Sequence, residues 1–206
     1  GLKRRFAKQQ SIDLLGDVGI QEPAQRYHEY PHQLSGGMRQ RAMIAMALIC
    51  EPQLLIADEP TTALDVTIQS QILELIVQLS NERGTAVLLI TDHVGVVAET
   101  CERVITMYAG QVVEQSAIDD ALTSPQHPYT SGLLRAIPRA GNRRNQLYAI
   151  PGRVPLLHEM PDGCRFGPRC DFTVDRCSEP QALTRIGTER LVRCHRSEEL
   201  DLPGAI

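Results

Sequence analysis

Two short segments of this chain carry residue types suited to handling a phosphate. Leu34-Ser35-Gly36-Gly37-Met38-Arg39-Gln40-Arg41 opens a run of helix formers, Met38 to Ile49, that Pro52 closes. A helix N-terminus presents unpaired backbone N–H groups, two glycines permit close approach, and Ser35 adds a hydroxyl, so the segment predicts an anion site. The same residues also fit a plain Ser-capped helix with a Gly-rich entry. The second segment, Leu54-Leu55-Ile56-Ala57-Asp58-Glu59-Pro60, is a short apolar run ending in an acidic pair. Its length and flanks predict a buried parallel strand. Acids at the end of such a strand are costly unless a cation or reactant uses them. The pair suits an Asp58 that organises Mg²⁺ and a Glu59 that orients water for attack on a phosphate. The alternative is an exposed acidic loop.

A third group has metal-ligand chemistry. Cys164, Cys170, Cys177 and Cys194 leave gaps of five, six and sixteen residues. Four reduced thiols can hold zinc or an iron–sulfur cluster, and the missing C-x-x-C knuckle tilts the choice towards iron–sulfur. Four unmetallated thiols in a loop-rich tail is the alternative. His195 adjoins Cys194 and could substitute as a ligand, though a surface histidine is the plainer reading. With no export signal the thiols are expected to be reduced. Cys50 and Cys101 sit in apolar segments and predict small core residues. Seven arginines between Arg165 and Arg196, offset by nearby acids, read as a solvated surface.

The elements that must position these residues follow from periodicity. Residues 2–19 predict an amphipathic helix with Phe6, Ile12, Leu15 and Val18 among its apolar positions and Gly19 as its stop. Val66 to Arg83 predicts a second long helix ended by Gly84, and Thr85 to Thr91 a second buried strand. Val94 to Cys101 predicts a short helix. Arg103 to Tyr108 and Gln111 to Gln115 flank Ala109-Gly110 as a two-residue hairpin. Strand alternating with helix is the pattern of a doubly wound α/β sheet, whose ligands sit beyond the C-terminal strand ends. After about residue 123 prolines become frequent and the cysteines gather, which sets a boundary there.

Bulk properties narrow the function classes. The 206 residues carry a net charge of −4 and 4% aromatics with no Trp, which argues against a stacking platform for nucleic acid. No apolar run approaches the ~18–20 residues that cross a bilayer. The start, Gly1 to Phe6, has neither Met nor an apolar signal region, which fits a processed N-terminus or, preferred here, a chain that begins mid-protein.

In this order and spacing the two phosphate-handling segments resemble the ABC ATPase family. Leu34 to Met38 resembles its signature motif, with Met38 where Gln is commonest. Asp58 and Glu59 match the Walker B aspartate and the adjacent catalytic glutamate, and Ala63-Leu64-Asp65 matches the D-loop. The resemblance implies that two subunits sandwich ATP and Mg²⁺ head to tail, with Ser35, Gly36, Gly37 and Met38 facing the γ-phosphate held by the opposing subunit and Asp65 at the same interface. No G-x-x-x-x-G-K-S/T occurs in the chain, so it holds half of each site it joins and should not bind ATP tightly alone. At Thr91-Asp92-His93 the family order is inverted, because Asp92 stands where the switch histidine is usual and His93 follows. A one-residue shift can turn His93 away, whereas a loop adjustment would restore it.

The tail resembles that of oligopeptide and dipeptide transporter ATPases, through His127-Pro128-Tyr129-Thr130, Leu133-Leu134-Arg135-Ala136-Ile137-Pro138 and Ile150-Pro151-Gly152-Arg153-Val154-Pro155. Three regions are implied: a helical subdomain with the signature helix at 1–50, a RecA-like core at 51–122, and a Cys-containing extension at 123–206. The implied function is ATP-driven import of small peptides. The implied partners are a second ABC ATPase subunit, two membrane permease subunits and, indirectly, a solute-binding protein, at the cytoplasmic face of the inner membrane and without nucleic acid. Gly163-Cys164 and Pro168-Arg169-Cys170 resemble family members that carry a 4Fe–4S cluster, with Zn²⁺ as the alternative. A nickel or other solute importer, or a hydrolysis-impaired partner subunit, fits the same motifs. A metal-cluster nucleic-acid module gives Asp58-Glu59 no purpose, and the peptide-importer tail disfavours ABC ATPases of DNA repair and translation.

Overall fold

The computed structural model describes residues 4–62, 64–137 and 148–205. Residues 2 and 3 of the expected first helix, Ala63 of the D-loop match and Pro138 of the tail lie outside the described residues. The chain divides into two compact units, Gly1–Asp92 and His93–Ile206.

In the first unit α1 (Arg4–Asp17), α2 (Pro23–Arg26), α3 (Gly36–Leu48), β1 (Leu54–Asp58), α4 (Val66–Arg83) and β2 (Ala86–Ile90) follow in order. Helix α4 places Ile68, Ile72, Leu75, Ile76 and Leu79 on one stripe, as a 3.6-residue period requires. That stripe packs with Leu14 and Val18 from the end of α1 and with Ile44, Ala45 and Leu48 of α3. Gly19 ends α1 in the left-handed region, at φ 76°. The Gly19 N–H donates to the Gly16 carbonyl and the Ile20 N–H to the Leu15 carbonyl, which is a Schellman close. Phe6 stands outside this core, 63% exposed.

Strands β1 and β2 pair in parallel, with Asp58 beside Ile90. The expectation of two buried strands is corrected. Only Leu55 and Ala57 of β1 face the core, while Leu54, Ile56, Leu88 and Ile90 are exposed. Among the described residues no third strand joins either one, and apolar side chains of both strands are left exposed. Cys50 is corrected too: it is exposed, in the turn beyond α3, and Cys101 is only half-buried. Their apolar neighbours misled because helix and strand ends leave the periodic stripe.

The second unit holds α5 (Val94–Thr100), β3 (Arg103–Tyr108), β4 (Gln111–Ala117), α6 (Ile118–Thr123), α7 (Pro128–Ala136), β5 (Thr184–Ile186) and β6 (Arg190–Val192). The β3–β4 turn is the expected two-residue hairpin, with Ala109 and Gly110 both at positive φ (46° and 77°). An antiparallel sheet in the order β3-β4-β6-β5 brings the C-terminal tail back onto this hairpin. Tyr108, Val113 and Phe166 form the local core. Rather than a solvated surface, the tail arginines staple backbone carbonyls. Arg193 donates to Val112 and Gln181, Arg169 to Ile150 and Pro151, and Arg196 to Phe172. Each satisfies acceptors that an irregular chain would otherwise leave unpaired.

Candidate functional site

Ser35 is the N-cap of α3, with its side-chain oxygen accepting from the Met38 N–H at 3.3 Å. That acceptance leaves its O–H available to donate outward. Gly36 and Gly37, the first helical residues, have N–H groups with no acceptor inside the helix. At Gly36 a side chain would meet nothing within 4 Å, so the backbone there is open to an approaching group. The loop before it is held by the Arg39 guanidinium, which donates to the Leu34 carbonyl at 3.0 Å. The anion-site reading and the capped-helix reading are therefore both realised by the same residues.

Asp58 ends β1 and Glu59 follows at φ 44°, in the left-handed region that a non-glycine residue seldom adopts. The Glu59 N–H donates to the Ile90 carbonyl at 2.9 Å, and the Thr62 hydroxyl donates to its carboxylate at 2.9 Å. Both acids are exposed, so the desolvation argument for their pairing with a cation does not apply in this chain. Asp65 caps α4, accepting from the Ile68 N–H at 3.0 Å.

One contact that motif matching missed joins these two segments. The Gln40 side-chain amide on α3 donates to the Pro60 carbonyl. Arg41 beside it donates to the Val18 carbonyl at 2.6 Å, through a gap that only glycine leaves at position 19. A pocket of about 290 Å³ opens beside Ser35, between Ile20, Arg26, Met38 and Arg41. The phosphate-handling segment includes Gln40 and Arg41, but it does not announce these contacts, because their partners lie twenty or more residues away.

Asp92 is exposed, and His93 caps α5, its Nδ1 accepting from the Val96 N–H at 3.3 Å. The one-residue shift thus gives the imidazole a local structural task.

In the tail, the Cys164 N–H donates to the Cys177 carbonyl at 2.9 Å, and a side chain at Gly163 would strike that same carbonyl. Burial pushes the Cys170 thiol up to about 11, and also raises Cys164 and Cys194. Backbone N–H groups of Phe166 and Gly167 oppose this at Cys164, that of Phe172 at Cys170 and that of Arg196 at Cys194. Cys164, Cys194 and Cys177 lie within electrostatic reach of Cys170 and add a smaller upward push to its thiol. Among the described residues, no three His, Cys, Asp or Glu side chains stand as a single metal ion would need. His195 is half-buried, and its Nε2 is enclosed without a partner, which corrects the surface reading.

Comparison with known proteins gives this geometry its family. Residues 5–62 match the model of the ABC transporter family, and residues 113–177 match that of the oligopeptide/dipeptide transporter C-terminal region. The chain is 52% identical over 200 residues to the oligopeptide transport ATP-binding protein AppD of Bacillus subtilis, covering 96% of this chain and 61% of that one. It is 51% identical over 196 residues to the dipeptide transport ATP-binding protein DppD of Escherichia coli, covering 95% and 60%. Among solved structures it resembles the ATP-binding cassette MJ0796 in a dimeric post-hydrolysis state with ADP and Pi, at 30% identity and a TM-score of 0.50 over 57% of this chain and 50% of that one. The fold is α/β, and the chain belongs to the ABC transporter ATP-binding family. Its branch is that of the oligopeptide/dipeptide transporters. It spans about 61% of the length of the Bacillus relative.

Proposed function

We propose that this chain belongs to an ATP-hydrolysing subunit that energises the import of small peptides through membrane-embedded partners. The observation that carries the reading is a Ser-capped, glycine-led helix and a strand-end Asp-Glu pair held in one unit, upstream of a peptide-transporter C-terminal region. Ser35, Gly36, Gly37 and Met38 offer a hydroxyl and backbone N–H groups to the terminal phosphate of ATP held by a second ATPase subunit. Asp58 orients Mg²⁺ on the ATP of its own subunit, Glu59 orients the attacking water, and Asp65 lies at the subunit interface. The division at 1–50, 51–122 and 123–206 follows from the same reading. Two permease subunits and a solute-binding protein complete the assembly, with this subunit on the cytoplasmic side. No helix among the described residues is long and apolar enough to cross a membrane.

A hydrolysis-impaired role within the pair is the second reading. It is favoured by one observation: the His93 ring is engaged as the cap of α5.

The four tail thiols extend the proposal to a 4Fe–4S cluster, with Zn²⁺ as the alternative. What supports it is donor chemistry alone: four half-buried sulfurs, backbone N–H groups directed at three of them and an enclosed His195 Nε2 next to Cys194 in sequence, although among the described residues they do not stand as a single metal ion would need. When bound, such a cluster supplies structural cross-linking or one-electron chemistry. The residues themselves would have to release protons from raised thiols to hold it.

The function is tested by ATP turnover of the full-length subunit with its permeases in vesicles. Turnover should rise with binding protein and peptide, and Glu59→Gln should lower it at least about a hundredfold while ATP still binds. Peptide-independent turnover that survives Glu59→Gln contradicts the reading.

A further inference from the structure

We propose that Gln40 is a positioning residue for Glu59, tying the signature turn to the strand-end acidic pair within one subunit. The inference rests on the roles of Ser35 and Glu59 proposed above. Gln40 lies on α3, a little over one turn beyond Ser35, and its half-buried amide donates to the Pro60 carbonyl. Proline has no N–H, so this carbonyl is the one backbone polar group through which residue 60 can be held. Glu59 therefore sits between two tethers. On one side its own N–H is fixed to the Ile90 carbonyl at 2.9 Å, and on the other the next carbonyl is fixed by Gln40. A left-handed, non-glycine backbone such as that of Glu59 persists only where its surroundings over-determine it. Gln40 is one of the groups that do so.

The helix makes the tie directional. Ser35, Gly37 and Gln40 ride on one rigid element, and α3 also meets α4 through Gly37 against Ile68 and Arg41 to Gln71. A displacement of the signature turn therefore pulls on the Pro60 carbonyl. Ser35 serves the ATP held by the opposing subunit, whereas Glu59 serves the ATP of its own. Gln40 thus links the two sites through a single chain.

The test uses the full-length subunit in its assembled pair. Gln40→Glu keeps the shape but, ionised, has no donor, while Gln40→Lys restores an N–H at similar reach. Gln40→Glu and Gln40→Ala should lower kcat by about ten- to a hundredfold with KM for ATP within about twofold, and Gln40→Lys should recover most of the loss. A merely packing role would survive Gln40→Glu and would not show that split. Wild-type kcat in Gln40→Glu, a loss that Gln40→Lys does not relieve, or a change confined to KM overturns the inference. Glu59→Gln run alongside separates the two levels. If it turns over normally, the role of Glu59 is what fails; if it is inactive while Gln40→Glu is not, only the Gln40 tie fails.

Discussion

Ser35, Asp65 and His93 each cap a helix with the side chain that the family motif would turn towards nucleotide. A cap fixes the rotamer, so these groups are held before any ligand arrives. Asp and Ser are strong caps. Histidine at 93 keeps its Nδ1 on the Val96 N–H of α5. The cysteines carry the metal-ligand chemistry of the tail. Anaerobically purified protein should hold iron and acid-labile sulfide with broad absorbance near ~400 nm, and Cys170→Ser should lose both. Zinc as the sole stoichiometric metal would replace the cluster assignment, and the absence of any metal would end it.

At the scale of elements, the tail is organised by a buried pair that no motif announced as structural. Glu114, 1% exposed, accepts from the N–H groups of Gln126 and His127 at 2.9 and 3.0 Å, capping the approach to α7. His127 is equally buried, its Nδ1 accepts from the Tyr129 N–H, and burial pushes its pKa from 6.5 down to about 3. The folded chain keeps this imidazole neutral, while the unfolded chain takes up a proton as pH falls below 6.5. Stability is therefore fully present above that value and declines towards pH 3, by up to about 1.4 kcal/mol per pH unit. Denaturant unfolding should show a loss of about 2 kcal/mol between pH 7 and pH 5 that is absent in His127→Gln, itself less stable at pH 7. Equal slopes for the two proteins would contradict this.

Sequence patterns disclosed elements whose signals are local: the cap Ser35, the stops Gly19 and Gly84, and the Ala109-Gly110 turn. They did not disclose β5 and β6, which are three residues each and exist through pairing, β6 with β4 and β5 with β6. Nor did they place the arginine staples, since Arg193 meets Val112 from 81 positions away. Cys50 failed for a related reason, because an apolar context does not say which face a helix end presents.

At the scale of the molecule, the account rests on incompleteness. The chain carries a Ser-capped, glycine-led turn and a strand-end acidic pair but no G-x-x-x-x-G-K-S/T, and β1 and β2 leave apolar side chains exposed. If Ser35 and Glu59 serve different ATP molecules, damage to one subunit can be complemented by damage to the other. The decisive measurement is ATP turnover in a full-length pair with Ser35→Arg in this subunit and Glu59→Gln, or its equivalent, in the partner. Each change made in both subunits should silence the pair, yet the mixed pair should recover about half of wild-type turnover, because one of its two sites is whole. A silent mixed pair would show that Ser35 and Glu59 act on the same nucleotide and would contradict the account.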